Sequence, residues 1–216
     1  MRTDKLIQML AGSCEPVRPL RRPWVRAIEW LGLSIPYVAL VLIVMSPRPD
    51  LIEKISDGRF VFEEIAALLT ALTAAIVAFA TAVPGYDRII ATLPFLPLSL
   101  WLASRSQEYL QAWIPSAADA SPLRPDWFCV PAIVLAASVP AIAMAVMLRR
   151  GVALTPHMTV FLGGLSAAGL GTLGMRLFCP HEAGLIPFVW QIGTVLMLPI
   201  LAGCAGHYFF VLNPSK

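Results

Sequence analysis

Long stretches without a charged residue, separated by short polar segments, dominate the pattern of this chain. A helix needs roughly 20 predominantly apolar residues to cross the hydrocarbon core of a bilayer. Six stretches meet or approach that length: Trp30–Pro47, Ile65–Tyr86, Ile89–Ser104, Trp127–Leu148, Gly151–Met175 and Ala183–Ser215. The pattern predicts an all-α fold, a polytopic membrane helix bundle of six transmembrane helices. This bundle would occupy residues 27–211, between an N-terminal tail (1–26) and a C-terminal tail (212–216).

Composition supports the membrane assignment. The 216 residues are 58% hydrophobic and only 13% charged, whereas soluble domains are about 25% charged. In a bilayer each backbone polar group must be satisfied within the protein, which favours helices over open sheets. Because no basic stripe with interleaved aromatic residues is present, we expect no direct binding to nucleic acid.

The third stretch, Ile89–Ser104, is the weakest of the six. It is short and contains Pro94 and Pro97. Arg88 and Arg105 border it, and both side chains are long enough to snorkel to the two membrane interfaces. We therefore predict that it spans the membrane, although the charge distribution is the same if it does not.

Lysine and arginine residues predict the orientation. Cytoplasmic flanks of membrane helices carry an excess of these residues, and the N-terminal tail holds six of the 16 in the chain. With this tail inside, the inner flanks hold 10 and the outer flanks 6, so both termini are predicted to be cytoplasmic. We expect no cleavable leader, because Pro47-Arg48-Pro49-Asp50 follows the first span where a cleavage site would have small residues.

Two of the four cysteines fall at the predicted outer face. Cys129 opens the fourth helix and Cys179 closes the fifth, whereas Cys14 is cytoplasmic and Cys204 lies deep in the sixth span. Two such thiols can form a disulfide if their Cα atoms lie within about 7 Å. Together with His181 they could instead hold a soft or borderline metal ion. The simpler alternative is that both are small apolar residues at helix ends.

The sequence shows no motif typical of a catalytic site or of an ion-coupled transporter. The centres of the six stretches contain no Asp, Glu, Lys or Arg, and we expect Glu63 and Glu64 to precede the second helix. An ion-coupled carrier usually places ionisable residues within its spans. No catalytic triad, paired intramembrane carboxylates or phosphate-binding loop is present either, so we predict that the protein is not an enzyme.

Small residues recur at every fourth position of the fifth stretch, at Gly163, Ala167 and Gly171. Such a face lets two helix backbones approach closely. Packing within one bundle is the simpler explanation, and a dimer interface is the alternative.

The N-terminal tail has the features of a short amphipathic helix followed by a linker. Leu6, Ile7, Met9 and Leu10 give an apolar face, and three prolines then favour an extended chain. A helix this short is marginal alone. It could dock in the groove of a partner protein or lie on anionic lipid.

Several short motifs resemble those of the NrsF-like proteins, which are six-span bacterial inner-membrane anti-sigma factors. These proteins negatively regulate an extracytoplasmic-function sigma factor of the sigma-F type. The motifs are Thr3-Asp4, Leu6-Ile7, Leu10-Ala11, Pro16-Val17-Arg18-Pro19-Leu20, Arg48-Pro49-Asp50-Leu51, Arg59-Phe60, Trp127 through Cys129, Cys179-Pro180 and Trp190.

The resemblance implies that the cytoplasmic tail holds the sigma factor at the membrane. The residues that would bind it are Asp4, Leu6, Ile7, Leu10, Pro16, Val17, Arg18, Pro19 and Leu20. Cys129 and Cys179 would sense periplasmic heavy metal or oxidant. No constitutive cofactor is implied, only transient heavy-metal binding in which His181 could join the cysteines. The family tends to have acidic residues after the Cys-Pro pair, where this chain has His181-Glu182.

Two other functions compete with this interpretation. A membrane thiol oxidoreductase could use Cys129 and Cys179, but Cys14 and Cys204 are poorly placed to supply a second reactive pair. A small multi-pass transporter is disfavoured by the uncharged span centres.

Overall fold

The computed structural model describes residues 21–83, 85–86, 88–113, 129–149, 151 and 155–178, together with the isolated positions 8, 12, 193 and 200. Its elements are helices, and these described residues contain no strand. In chain order they are α1 (Pro23–Met45), α2 (Leu51–Ser56), α3 (Gly58–Ala80), a 3-10 turn (Arg88–Thr92), α4 (Phe95–Trp113), α5 (Cys129–Leu148) and α6 (Pro156–Phe178). The predicted all-helical class is confirmed.

Four helical stretches are long and apolar enough to cross a membrane: Pro23–Met45, Gly58–Ala80, Ile89–Gln107 and Pro156–Phe178. α5 adds a shorter apolar helix over Val134–Leu148. Many large apolar side chains on the surface of α1, α4 and α5 are exposed, as expected for contact with lipid. These helices indicate a membrane protein. The sixth predicted span, Ala183–Ser215, lies outside the described residues apart from two isolated positions.

The third predicted span is helical. The 3-10 turn Arg88–Thr92 leads into α4, and Pro94 and Pro97 lie just before and within its first turn. A proline there removes no hydrogen bond, because the first N–H groups of a helix have no partner inside it. α4 also continues beyond the predicted end at Ser104 to Trp113.

α6 lies at the centre of the bundle and packs against α3 and α5. A Cβ atom placed on Gly171 would lie 2.9 Å from Cβ of Ala137 in α5. One placed on Gly163 would lie 3.0 Å from Cδ1 of Leu148. The face of small residues therefore packs within the bundle, which confirms the simpler of the two explanations for it.

These contacts also fix the direction of α5. Residue 137 lies opposite 171, and 148 lies opposite 163, so α5 and α6 are antiparallel. The bundle thus has two ends, which we name after the buried charged residue at each. α5 begins at Cys129 at the Glu63 end, where α6 finishes, and it finishes at the Arg26 end, where α1 begins.

Candidate functional site

The Glu63 end contains a buried cluster of charged side chains from α3, α4 and α6. Glu63 is 1% exposed, and its Oε2 lies 2.9 Å from Nη2 of Arg176 and 3.5 Å from Nη1 of Arg105. Its Oε1 accepts a 2.6 Å hydrogen bond from Oγ of Ser104 and lies 3.5 Å from Nε of Arg59. One carboxylate therefore connects three helices. We call Arg59, Glu63, Glu64, Arg105 and Arg176 the Glu63 cluster.

Arg176 is held from several sides. Besides Glu63, its Nη1 lies 3.1 Å from Oε1 of Glu64, and its guanidinium stacks over the ring of Phe60 at 4.8 Å. The Arg176 side chain is 5% exposed. Charged hydrogen bonds and cation–π contacts strengthen when water is excluded. The last turn of α6 is therefore fixed to α3 by the side chain of Arg176.

The segment after α1 joins the same end. The N–H of Arg48 donates to the carbonyl of Leu177 in the last turn of α6 at 3.2 Å. The buried Arg48 side chain bonds both carboxylate oxygens of Asp50, at 2.7 and 2.6 Å. Those hydrogen bonds lower the pKa of Asp50 to about 2, so it stays ionised at any physiological pH. This pair orders the loop that docks against the end of α6.

The expectation that Glu63 and Glu64 precede the second helix is wrong. α3 begins at Gly58, well before the predicted start at Ile65, and Asp57 accepts a hydrogen bond from the N–H of Arg59 at its N-terminus. Charged residues are tolerated in this helix because the partners on α4 and α6 neutralise them. Ion pairing at one end of the bundle explains why these charged residues lie within a helix, and no ion pathway is needed to explain them.

Sequence reasoning could have found the cluster. Arg59 and Glu63 stand four residues apart, a spacing that brings two side chains together on a helix. Arg105 and Arg176 each follow an apolar stretch at the same predicted level of the membrane. Opposite charges at one level, at the ends of neighbouring helices, predict an ion-pair cluster.

The predicted site residues fall mostly outside the described part of the chain. Cys129 is the first residue of α5, at the Glu63 end, but its side chain is not described. Cys179 and His181 lie outside, although α6 finishes at Phe178, one residue before Cys179. All the predicted sigma-factor-binding residues of the tail lie outside as well. No group of three or more His, Cys, Asp and Glu side chains suited to a metal ion occurs among the residues that are described.

A protein-family model matches nearly the whole chain. The family model NrsF, negative regulator of sigma F, matches residues 10–210. The chain belongs to the NrsF family. The name of the NrsF family implies a regulatory protein whose partner is a sigma factor. No curated protein and no solved structure shows significant similarity.

Two motifs that carried the resemblance to NrsF-like proteins meet at the Glu63 end. Arg48 to Leu51 follows α1 and bonds the last turn of α6, and Arg59-Phe60 lies beside Arg176. Both are therefore next to the point where the chain continues into Cys179-Pro180. In this NrsF-family chain the motifs build the end of the bundle that leads into the predicted sensing cysteine.

Proposed function

We propose that this protein is an anti-sigma factor that holds an extracytoplasmic-function sigma factor of the sigma-F type at the bacterial inner membrane. It releases the sigma factor when Cys129 and Cys179 react with heavy metal or oxidant in the periplasm. The match to the NrsF family over residues 10–210 carries the proposal. In this scheme six helices span the membrane, the Glu63 end faces the periplasm, and both termini are cytoplasmic.

The geometry of α5 and α6 supports the pairing of the two cysteines. These helices are antiparallel, with residue 137 opposite 171. α5 begins at Cys129, and α6 finishes one residue before Cys179. The two helix ends that adjoin the cysteines therefore lie at the Glu63 end of the bundle. A disulfide or a shared soft metal ion, with His181 as a further ligand, suits two thiols in this relation.

In the resting state of this sensor, the Glu63 cluster holds the end of α6 in place. Arg176 lies three residues before Cys179 and forms ion pairs with Glu63 and Glu64. A ligand at Cys179 must work against these contacts if it is to move the end of α6. Signalling needs a coupling free energy between the sensing site and the sigma-factor site, which is about 1–3 kcal/mol in typical allosteric proteins. Disulfide formation or thiolate–metal bonding is strong enough to provide it.

Leu6→Asp should weaken the binding of the sigma factor by about 30-fold or more. A buried anchor residue contributes about 2 kcal/mol or more to an interface, and a carboxylate in its place meets an apolar groove. The measurement is the Kd of the full-length protein in nanodiscs for a purified sigma factor of the sigma-F type. Gln8→Asp is the matched control, because it adds the same charge on the polar face and should leave Kd unchanged.

The same variants separate docking to a protein from docking to lipid. If the tail helix lies on anionic lipid, Leu6→Asp will reduce binding of a tail peptide to phosphatidylglycerol vesicles and leave capture of the sigma factor unchanged. That result would contradict the assignment of the tail as the binding segment.

Cys129→Ser combined with Cys179→Ser should abolish release of the sigma factor from membranes treated with cadmium chloride or hydrogen peroxide. The serine hydroxyl forms neither a disulfide nor a stable bond with a soft metal. The matched control is Cys14→Ser with Cys204→Ser, which should release the sigma factor as the unchanged protein does. Normal release by the first double variant would remove these cysteines from the mechanism. Catalytic turnover of thiol oxidation in a partner protein would favour the oxidoreductase.

A further inference from the structure

One face of α1 donates three hydrogen bonds to backbone carbonyl groups of α5. Arg26 bonds the carbonyl of Met147, and Nε1 of Trp30 donates to that of Pro140 at 2.9 Å. Oη of Tyr37 donates to the carbonyl of Leu135 at 2.9 Å. Because each helical residue turns by about 100°, positions 26, 30 and 37 lie within about 40° of one another. The three donors therefore form a single row along α1, which we call the donor row.

Two residues of the donor row, Arg26 and Trp30, are buried inside the bundle. Trp30 is fully buried and Arg26 is 5% exposed, and the Arg26 guanidinium stacks over the ring of Phe79 at 4.4 Å. A buried donor that loses its acceptor is left without water to replace it. Sliding α5 by one residue, about 1.5 Å, would carry each carbonyl away from its donor. The donor row therefore fixes both the height and the rotation of α1 against α5.

The donor row also bridges a weak point in α5. Pro140 has no N–H, so the carbonyl of Ala136 lacks its usual partner within the helix. Tyr37 bonds α5 before this gap, and Arg26 bonds it after the gap. Both halves of α5 are thus tied to the same helix, and a displacement of either half reaches α1.

α1 and α5 connect the two functional regions of the proposed mechanism. α5 begins at Cys129 and finishes next to Arg26. α1 begins at Pro23, three residues after Leu20, the last of the predicted sigma-factor-binding residues of the tail. Among the described helices, α5 is the one that starts at a predicted sensing cysteine and ends on the helix that follows the tail.

We infer that α5 carries the signal and that Arg26, Trp30 and Tyr37 are positioning residues that transfer its displacement to the tail. The inference rests on the proposed function. A disulfide or metal ion that draws Cys129 towards Cys179 shifts α5 against α1. The carbonyl groups move with α5, the donor row follows them, and the first turn of α1 is displaced together with the tail that precedes it.

The test measures resting affinity and release separately, in the full-length protein reconstituted in nanodiscs. The variants are Tyr37→Phe, which removes only a hydroxyl, and Tyr37→Phe with Trp30→Phe, which removes two of the three donors. Trp24→Phe is the matched control, because Trp24 is on the same helix and 51% exposed. The Kd for the sigma factor is measured alone, with cadmium chloride and, in a separate arm, with hydrogen peroxide.

We expect each variant to bind the sigma factor within about 2-fold of the unchanged protein when no inducer is present. The inducer should raise Kd about 5–150-fold in the unchanged protein and in Trp24→Phe, as is typical of allosteric coupling. In Tyr37→Phe this rise should shrink, and in the double variant it should fall below about 2-fold. Full release by both variants would overturn the inference.

Other outcomes are equally decisive. Loss of resting affinity in Tyr37→Phe would show that the donor row is needed to build the bundle and does not transmit a signal, which also overturns the inference. If the unchanged protein binds no sigma factor, or binds it and ignores both inducers, the proposed function fails and the inference falls with it.

Discussion

Glu63→Gln should lower the free energy of unfolding of the bundle by about 3–5 kcal/mol, the cost of removing one partner from a buried ion pair. The glutamine keeps the shape of the side chain, but its amide presents N–H groups to arginines that are themselves donors. Arg176 and Arg105 would then remain buried with one carboxylate fewer between them. α3, α4 and α6 all meet at Glu63, so the loss is not confined to one contact.

The measurement is denaturant or thermal unfolding of the purified protein in detergent micelles. Glu53→Gln is the matched control, because Glu53 lies on α2 and is exposed. Exposed substitutions typically change stability by less than about 0.5 kcal/mol. Equal unfolding midpoints for the two variants would contradict the structural role assigned to the Glu63 cluster.

Gly171→Ala and Gly32→Ala should change stability in opposite directions. The new Cβ at position 171 would lie 2.9 Å from Cβ and 3.4 Å from Cα of Ala137, and helix α5 must move to accept it. Such overpacking costs about 1–3 kcal/mol. Gly32 lies in the middle of α1 with no atom within 4 Å of the new methyl group, so alanine there should stabilise the helix by about 0.5–1 kcal/mol.

Unfolding midpoints of both variants, measured in the same detergent, test this pair of predictions. A stabilising Gly171→Ala would show that α5 and α6 are further apart than the contact with Ala137 indicates. Gly163→Ala gives an intermediate case, since its Cβ would meet the flexible side chains of Leu148 and Met144 and not the backbone.

The sequence predicts the helical class and the positions of five helices because apolar stretches of membrane length have few alternatives in a bilayer. It misplaces their ends at the charged residues. α3 starts before Ile65 and α4 continues past Ser104, since a charge that looks like a boundary in the sequence is neutralised by a partner on another helix. Such partners are distant in sequence, and a hydropathy pattern along the chain does not contain them.

The donor row, unlike the Glu63 cluster, is inaccessible to sequence reasoning. Arg26 looks like one more basic residue of a cytoplasmic flank, and Trp30 and Tyr37 look like residues of an apolar span. Their partners are backbone carbonyls of α5, and every residue offers a carbonyl whatever its type. Only the packing of α1 against α5 selects which of them accept.

The Glu63 cluster also constrains how the protein is made. α3 leaves the ribosome before α4 and long before α6, so Glu63 reaches the membrane while Arg105 and Arg176 are still to be synthesised. An unpaired charged residue at the centre of a translocating helix costs about 2.5–3.5 kcal/mol on insertion, and at this stage only Arg59 of the same helix is available to pair with Glu63. Glu63 lies near the start of α3, away from the helix centre, which reduces that penalty. Ser104 and Arg105 on α4 reduce it further. We therefore expect α3 and α4 to insert together as a hairpin. Arg176 forms its ion pair with Glu63 only after α6 has been inserted.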